Sequence, residues 1–249
     1  MTLKTAVVTG GGTGIGRDIS LLLASRGYKV YATGRNLEPL EVTAKMSVDG
    51  LIIPVQMDVS DPASIRRALT DIKSVDALVA NAGICLQAAL DDDNADEVWH
   101  NVMKTNVDGV WYLFRALHDR FTDNARAVIV SSGLGKLGRP AYGAYTASKH
   151  AVLGLAKCFS KELAERNITV NAVCPGWVET DMARRDLVRT AGIHGTTPEQ
   201  EYAKAVENIP LHRFVQPDEV AALIGFLLSE EAGAITGQAY NISCGEFFA

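Results

Sequence analysis

The sequence is poor in the residues that build metal clusters and disulfide frameworks. Its 249 residues include only four cysteines, Cys85, Cys158, Cys174 and Cys244. These cysteines are widely scattered and form no CxxC motif or Cys/His cluster. We therefore expect reduced thiols that pack as small apolar side chains, and no metal site.

Membrane segments and an excess of positive charge are also missing. No run of about 18 apolar residues could span a bilayer, and the start, "MTLKTAVVTGGG", has none of the parts of a signal peptide. The 24 Lys and Arg residues are outnumbered by 29 Asp and Glu, for a net charge of −5. A nucleic-acid binder would normally show a basic face. We expect a soluble cytoplasmic protein that binds neither nucleic acid nor membrane.

The sequence consists mostly of short apolar runs that alternate with helical patterns. Hydrophobic residues make up 47% of the chain, which is enough for a large core. Most runs lack strict polar–apolar alternation, as is typical of strands covered on both faces. The pattern predicts an α/β fold, a doubly wound parallel sheet flanked by helices, in a single domain over 1–249. The runs are 5–9, 28–33, 51–56, 75–80, 126–132, 168–173 and 238–242, and the helical segments include 15–26, 61–73, 97–121, 145–165 and 217–229.

A polar, helix-prone insertion at 181–210 interrupts this alternation. Insertions after a strand in such folds often cover the ligand crevice, so we predict a helical lid. Trp177, just before the lid, either forms a flat wall of the pocket or packs the lid against the body. Four basic residues of the lid either meet an anionic substrate or form a solvated helix face. They are Arg184, Arg185, Arg189 and His194.

A glycine-rich turn, "VVTGGGTGIGRDI", joins the first strand to the first helix. Gly10, Gly14 and Gly16 give the spacing TGxxxGxG. Glycines permit a tight turn and the close approach of a pyrophosphate, and the helix N-terminus offers free N–H groups. Alone, such a turn could be a plain strand–helix connection. Its place at the first strand–helix junction of an α/β chain favours a dinucleotide.

Tyr145 and Lys149 in "AYTASKHAV" are four residues apart, which places both side chains on one helix face. The pKa of free tyrosine is about 10, and a neighbouring cation would lower it. Ser132 ends the fifth strand, and Asn106 lies in a helical segment. Singly, these residues would be a solvated helix face, a cap and a turn residue. A family resemblance, carried by the motifs below, implies that together they form a catalytic set.

Seven motifs in order carry a resemblance to the short-chain dehydrogenase/reductase family. They are "TGGGTGIG", "DV" at 58–59, "NAG" at 81–83, "KTNVDG", "VSSG", "YTASK" and "PGWVET". The resemblance covers about residues 3–245 and implies a single Rossmann-type domain with a seven-stranded parallel sheet, usually assembled as a tetramer or dimer. It also implies an NAD(P)-dependent oxidoreductase that transfers a hydride between nicotinamide and a carbonyl or secondary alcohol. The C-terminal half is most similar to 3-oxoacyl-thioester and polyketide ketoreductases.

The resemblance also implies roles for particular residues. Tyr145 would be the acid/base, Ser132 would hold the substrate oxygen, Lys149 would bind the nicotinamide ribose, and Asn106 would support a water that relays protons. The implied cofactor-binding positions are Gly10, Thr13, Gly14, Ile15, Gly16, Arg35, Asp58, Val59, Asn81, Ala82, Gly83, Tyr145, Lys149, Pro175, Gly176, Val178 and Thr180.

The end of the second strand, "VYATGRN", indicates which nicotinamide cofactor is used. Gly34 occupies the position where a carboxylate would bind the adenosine ribose and repel a 2′-phosphate. Arg35 follows and could pair with that phosphate, although it could also face solvent or stack on adenine. We therefore predict NADP(H) rather than NAD(H).

Other functions remain open at this point. One is an NAD-dependent dehydrogenase of a sugar, steroid or hydroxy-acid alcohol. Others are a related epimerase or dehydratase and a non-catalytic dinucleotide sensor. The C-terminal Phe247 and Phe248 lead to a separate hypothesis, that both are buried at a subunit interface.

Overall fold

Seven parallel strands form one sheet in the computed structural model, which describes residues 3–48 and 50–248. The strand order is β3-β2-β1-β4-β5-β6-β7, and every neighbouring pair is parallel. This confirms the predicted doubly wound sheet. The strands are β1 Thr5–Thr9, β2 Lys29–Gly34, β3 Ile52–Gln56, β4 Val75–Ala80, β5 Phe121–Val130, β6 Thr169–Pro175 and β7 Ala239–Ile242.

Helices connect these strands and cover both faces of the sheet. Within the described ranges, none of the helices is long and apolar enough to cross a membrane. A π-helical turn, Lys104–Asp108, joins α4 to α5. The helices are α1 Gly14–Ser25, α2 Leu37–Met46, α3 Pro62–Ala68, α4 Ala95–Met103, α5 Gly109–Leu117, α6 Gly143–Glu162, α7 Asp181–His194, α8 Pro198–Glu207 and α9 Pro217–Leu227.

Several boundaries differ from those predicted. The helix predicted over 97–121 is two helices around the π-helical turn, and the one predicted over 61–73 ends at Ala68. Buried Leu69 and Ile72 continue the apolar pattern beyond that end, so the pattern could not mark it. The strand predicted over 126–132 begins at Phe121 and ends at Val130.

The core lies on both faces of the sheet. In β1, Val7 packs into one apolar cluster, while Ala6 and Val8 pack into the other. All three side chains are fully buried. Because successive strand residues point to opposite faces, a strand covered on both sides must be apolar throughout. This explains the uninterrupted apolar runs in the sequence.

Two helices, α7 and α8, form the predicted lid. Thr180 caps α7 by accepting a hydrogen bond from the backbone N–H of Ala183 at 3.3 Å, and a capping box at Thr197 begins α8. Lid residues Leu187 and Ile209 share a small apolar cluster with Phe214. This cluster therefore packs the lid against the rest of the domain.

The C-terminal phenylalanines have different environments. Phe247 is only 6% exposed and belongs to the larger core cluster, whereas Phe248 is 87% exposed. The Phe247 ring lies so close to Gly133 that a Cβ there would be 2.5 Å from its Cε1 atom. The hypothesis that Phe247 is buried at a subunit interface is wrong, because its own chain buries it where Gly133 has no side chain.

Candidate active site

Two adjoining cavities lie at the carboxyl ends of the strands, where the strand order reverses between β1 and β4. We call them the glycine-loop cavity, which Gly10 and Arg35 line, and the Tyr145 pocket, which Ser132 and Tyr145 line. Gly83 borders both. Including their openings to solvent, they enclose about 780 and 1050 Å³. The two cavities therefore adjoin at Gly83 and together are large enough for a long ligand.

All but three of the predicted site residues line one of these cavities. The exceptions are Gly14, Gly16 and Asn106, which contact residues of the cavity walls. The predicted residues that line the glycine-loop cavity are Gly10, Thr13, Arg35, Asp58, Val59, Ala82 and Gly83. The predicted residues that line the Tyr145 pocket are Ile15, Asn81, Gly83, Ser132, Tyr145, Lys149, Pro175, Gly176, Val178 and Thr180.

The glycine loop has no room for side chains. Gly10 and Gly14 adopt positive φ angles of 68° and 49°, which L-residues with a side chain rarely adopt. A Cβ at Gly16 would lie 2.1 Å from the carbonyl oxygen of Gly10 and 2.6 Å from Nδ2 of Asn81. The N-terminus of α1 that follows has no side-chain cap, so its N–H groups remain available to an anion. These features fit a pyrophosphate.

Hydrogen bonds between β1 and β4 hold this loop in place. The side chain of Asn81 donates from Nδ2 to the carbonyl of Thr9 at 2.9 Å. In return, Thr9 Oγ1 accepts from the backbone N–H groups of Asn81 at 3.0 Å and Ala82 at 2.9 Å. The "NAG" segment thus ties the end of the fourth strand to the start of the glycine loop.

At the outer end of the glycine-loop cavity there is a cationic side chain, and β2 contributes no carboxylate to this end. Arg35 is exposed there, directly after Gly34. Within the described ranges, its guanidinium has no hydrogen bond or ion pair. Asp58, across the cavity, turns one carboxylate oxygen to Ser60, accepting from its N–H at 2.9 Å and its hydroxyl at 2.8 Å. Arg35 is thus available for an anionic group.

Tyr145 and Ser132 are neighbours in the wall of the Tyr145 pocket. Ser132 accepts from the backbone N–H of Leu134 at 3.1 Å. The adjacent Ser131 instead donates to the backbone carbonyl of Lys149 at 2.9 Å. Successive residues at the end of a strand point to opposite sides, and the different partners of Ser131 and Ser132 reflect this.

Burial dominates the protonation of Tyr145 and Lys149. It raises the pKa of Tyr145 above its ordinary value, and the neighbouring Ser132 hydroxyl opposes this increase. The Nζ atom of Lys149 lies 5.6 Å from the tyrosine ring centre and donates to the carbonyl of Val130 at 2.9 Å. Burial lowers the pKa of Lys149 to about 8.

This differs from the expectation that Lys149 would lower the pKa of Tyr145. The reason is that desolvation disfavours both charged forms, the phenolate and the ammonium. In the chain alone, Tyr145 is therefore protonated near neutral pH, which is the form that can donate a proton.

Asn106 lies in the π-helical turn and is 1% exposed. Its Oδ1 accepts from the backbone N–H of Ile84 at 2.8 Å, and its Nδ2 donates to the carbonyl of Ile84 at 2.9 Å and to Ser148 Oγ at 3.0 Å. Asn106 thus joins the segment after β4 to the helix that carries Tyr145. Local π-helical turns frequently mark functional sites.

Sequence reasoning missed a hydrogen-bonded group in the outer wall, which we call the Asp186 clasp (Gln87, Tyr142 and Asp186). The Tyr142 hydroxyl donates to one oxygen of Asp186 at 2.6 Å, and Gln87 Nε2 donates to the other at 2.6 Å. Gln87 Nε2 also lies 2.6 Å from the Tyr142 hydroxyl. Burial raises the pKa of Tyr142. The clasp ties α7 of the lid to the segments that precede α6 and follow β4.

Trp177 has both of the roles considered for it. It lines the Tyr145 pocket and stacks on Phe214 beneath the lid, with ring centres 5.1 Å apart. Its backbone N–H donates to Oε2 of Glu246 at 3.3 Å. Glu246 and Phe247 also line the pocket, so the C-terminal segment is part of the site. No periodicity in the sequence indicated this.

The basic residues of the lid lie outside the pocket lining. Arg184, Arg185 and Arg189 are exposed, and Arg184 lies 3.9 Å from Asp181. His194 lies 3.1 Å from Glu201. Their positions favour the solvated helix face over substrate contact.

Taken together, the pocket holds a proton-donating phenol, a serine hydroxyl and a buried cation beside a cavity suited to a dinucleotide. This combination can protonate an oxygen on which negative charge develops.

Comparison with known proteins places this site in a family. The family model for short chain dehydrogenases matches residues 4–191. A Streptomyces virginiae protein named as a ketoacyl reductase of monensin polyketide synthase is 38% identical over 254 residues, which cover 98% of this chain and 97% of the relative. The 3-oxoacyl-acyl-carrier-protein reductase of Thermotoga maritima is 35% identical over 97% of each chain.

A solved structure shows the same similarity in three dimensions. A tryptophan variant of actinorhodin polyketide ketoreductase with NADPH superimposes with a TM-score of 0.90 and 34% identity, over 98% of this chain and 97% of that one. The fold of this chain therefore agrees with that of the ketoreductase over nearly the whole length of both chains. The chain belongs to the short chain dehydrogenase family and is an oxidoreductase.

Proposed function

We propose that the enzyme is an NADP(H)-dependent ketoreductase that interconverts a ketone and a secondary alcohol. The observation that carries this proposal is that Tyr145 and Ser132 lie together in a pocket that adjoins the glycine-loop cavity at Gly83. A carbonyl oxygen held by both hydroxyls would face the junction of the two cavities. The nicotinamide, when bound, supplies the hydride.

Each residue of the catalytic set has a defined task in this proposal. Ser132 donates a hydrogen bond to the substrate oxygen, and Tyr145 transfers its proton to that oxygen as negative charge develops. Lys149 exchanges its bond to Val130 for the nicotinamide ribose hydroxyls. Asn106 positions α6, and with it Tyr145, through Ser148.

The cofactor-binding residues support NADP(H). Gly10, Gly14 and Gly16 would hold the pyrophosphate over the N-terminus of α1, since their turn excludes side chains. Arg35 would bind the 2′-phosphate, because β2 ends on Gly34 and offers no carboxylate to repel it. The similar ketoreductase structure contains NADPH, which favours the same cofactor here.

Ketoacyl or polyketide-type ketones are the substrate class that we propose. The relatives named above are ketoacyl and 3-oxoacyl reductases, and a further relative from Shinella zoogloeoides, 33% identical, is an acetoacetyl-CoA reductase. The pocket offers largely apolar walls from Leu137, Trp177 and Met182. These walls suit an acyl chain or a ring.

The test measures NADPH and NADH oxidation with a panel of ketones, using wild type, Tyr145→Phe and Tyr112→Phe. Tyr112 is a partly buried tyrosine of the core whose loss of a hydroxyl should not affect turnover. Tyr145→Phe should lower kcat by at least about a hundredfold, in line with the loss of a positioned acid. Turnover that persists in Tyr145→Phe would contradict the mechanism. An unchanged NADPH/NADH preference in Arg35→Ala would show that Arg35 does not bind the phosphate.

We further propose a cytoplasmic homotetramer or homodimer. Two large rings are exposed on neighbouring helices, Trp99 at 43% on α4 and Trp111 at 42% on α5, as is common at interfaces. All four cysteines are free, which suits a reducing compartment. A monomeric mass in light scattering would contradict the oligomer.

A further inference from the structure

Arg139 has an unusual position in the wall of the Tyr145 pocket. It lies between β5 and α6, and its guanidinium carbon is 4.7 Å from the ring centre of Tyr142 and 5.4 Å from that of Trp177. Both rings also line the pocket. Contacts with aromatic rings engage the faces of a guanidinium and leave the N–H donors around its edge free.

These donors are not used elsewhere in the parts of the chain that the structure describes. There, the guanidinium of Arg139 has its two ring contacts but no hydrogen bond or ion pair. By contrast, Arg213 forms two bonds of 2.7 Å with Glu219. A half-buried guanidinium that is oriented by rings and keeps its donors free is suited to a planar or tetrahedral oxyanion.

Two carboxylates share the pocket with Arg139, and both have other partners. The oxygens of Asp186 accept from Tyr142 and Gln87. Glu246 accepts from the backbone N–H of Trp177 at 3.3 Å. Burial raises the pKa of Glu246, and the charge of Arg139 opposes this increase. Arg139 therefore acts electrostatically on Glu246 without forming an ion pair with it.

We propose that Arg139 is a specificity-determining residue that binds an oxyanionic group of the substrate, a carboxylate or a phosphate, while the ketone lies at Ser132 and Tyr145. This inference rests on the proposed ketoreductase function and extends it to the remote end of the substrate. The lid cations considered in the sequence do not line the pocket, whereas Arg139 does. Glu246 would weaken the preference for an anion by repulsion.

The experiment compares matched ketones with the intact enzyme and NADPH. One pair is 5-oxohexanoate and its methyl ester, and the other is 4-oxopentyl phosphate and 5-hydroxypentan-2-one. The quantity measured is the ratio of kcat/KM for the anionic ketone to that for its neutral partner. The variants are Arg139→Gln, Arg139→Lys and Glu246→Gln, and Arg184→Gln serves as the matched control on the exposed lid.

Arg139→Gln should lower this ratio about ten- to hundredfold, the range of a hydrogen bond to a charged group. Arg139→Lys should lower it less, because it keeps the charge but loses the planar donor array. Glu246→Gln should raise the ratio, and Arg184→Gln should leave it unchanged. A fall confined to the carboxylate pair or to the phosphate pair would identify which oxyanion Arg139 binds.

Equal losses for both members of each pair in Arg139→Gln would overturn the proposal, since they would indicate a structural role. The proposal would also be overturned if Arg139→Gln and wild type had the same kcat/KM values for both members of each pair. Arg139→Lys provides the comparison if the Gln variant is unstable, which circular dichroism would reveal. Failure of wild type to reduce any ketone would instead refute the ketoreductase function itself.

Discussion

Burial of Lys149 should make NADPH affinity depend on pH between 7 and 9. The residue is 5% exposed, and burial lowers its pKa to about 8. The fraction that carries a positive charge therefore falls from about 0.9 at pH 7 to about 0.1 at pH 9. A lysine with its ordinary pKa of about 10.4 would remain charged over this range.

We expect the Kd for NADPH to rise about tenfold from pH 7 to pH 9, because binding through the ribose hydroxyls uses the ammonium form. The 2′-phosphate of the cofactor keeps nearly the same charge in this range, since the second pKa of a phosphate monoester is about 6. Titration of tryptophan fluorescence at constant ionic strength, in steps of half a pH unit, would measure the change.

Lys149→Met provides the control. It should bind NADPH more weakly than wild type at pH 7 and show no increase in Kd up to pH 9. A wild-type Kd that stays constant to pH 9 would refute the reasoning. So would an equal increase in Lys149→Met, because the titrating group would then be another residue.

Three substitutions test the packing around the site through the free energy of unfolding. Gly16→Ala should cost about 3 kcal/mol and abolish NADPH binding, because its Cβ would lie 2.1 Å from the carbonyl oxygen of Gly10. Tyr142→Phe should cost about 1.5–3 kcal/mol, since Asp186 loses a charged hydrogen bond of 2.6 Å. Phe247→Ala should cost about 3–5 kcal/mol through the cavity left in the core. Denaturant titration of each purified variant gives these values.

Matched variants control for the chemistry of each change. Gly154→Ala on α6 places a Cβ in open space and should not destabilise the protein. Tyr112→Phe removes a hydroxyl that has no hydrogen bond within the described residues. Phe248→Ala alters a ring that is 87% exposed, so it should change stability by less than about 0.5 kcal/mol. A variant that matches its control would contradict the packing inferred for that site.

The sequence could predict that the proposed catalytic residues lie close together, because their spacing is local or follows the sheet. Four residues separate Tyr145 and Lys149 on one helix, and Ser132 directly follows β5. Parallel strands bring their carboxyl ends to one edge, so residues that follow different strands were expected to meet there. The one electrostatic expectation that differed was the pKa of Tyr145, because burial cannot be read from spacing.

The outer wall of the pocket could not be predicted in this way. The members of the Asp186 clasp are 44 to 99 positions apart in sequence, and they come from segments without periodicity. Arg139 had no signal beyond its place in a loop. Phe247 was assigned to a subunit interface because hydrophobicity alone predicts burial without showing which surface provides it.

The sequence by itself determined the parallel sheet, the glycine turn after the first strand and the family, and it indicated the proposed catalytic residues, because apolar periodicity, glycine spacing and ordered motifs are local properties of a chain. The tertiary structure decided what encloses the substrate: the lid tied by Asp186, the C-terminal Glu246 and Phe247, and Arg139 between two rings. These contacts join distant segments, and their partners depend on how the layers pack.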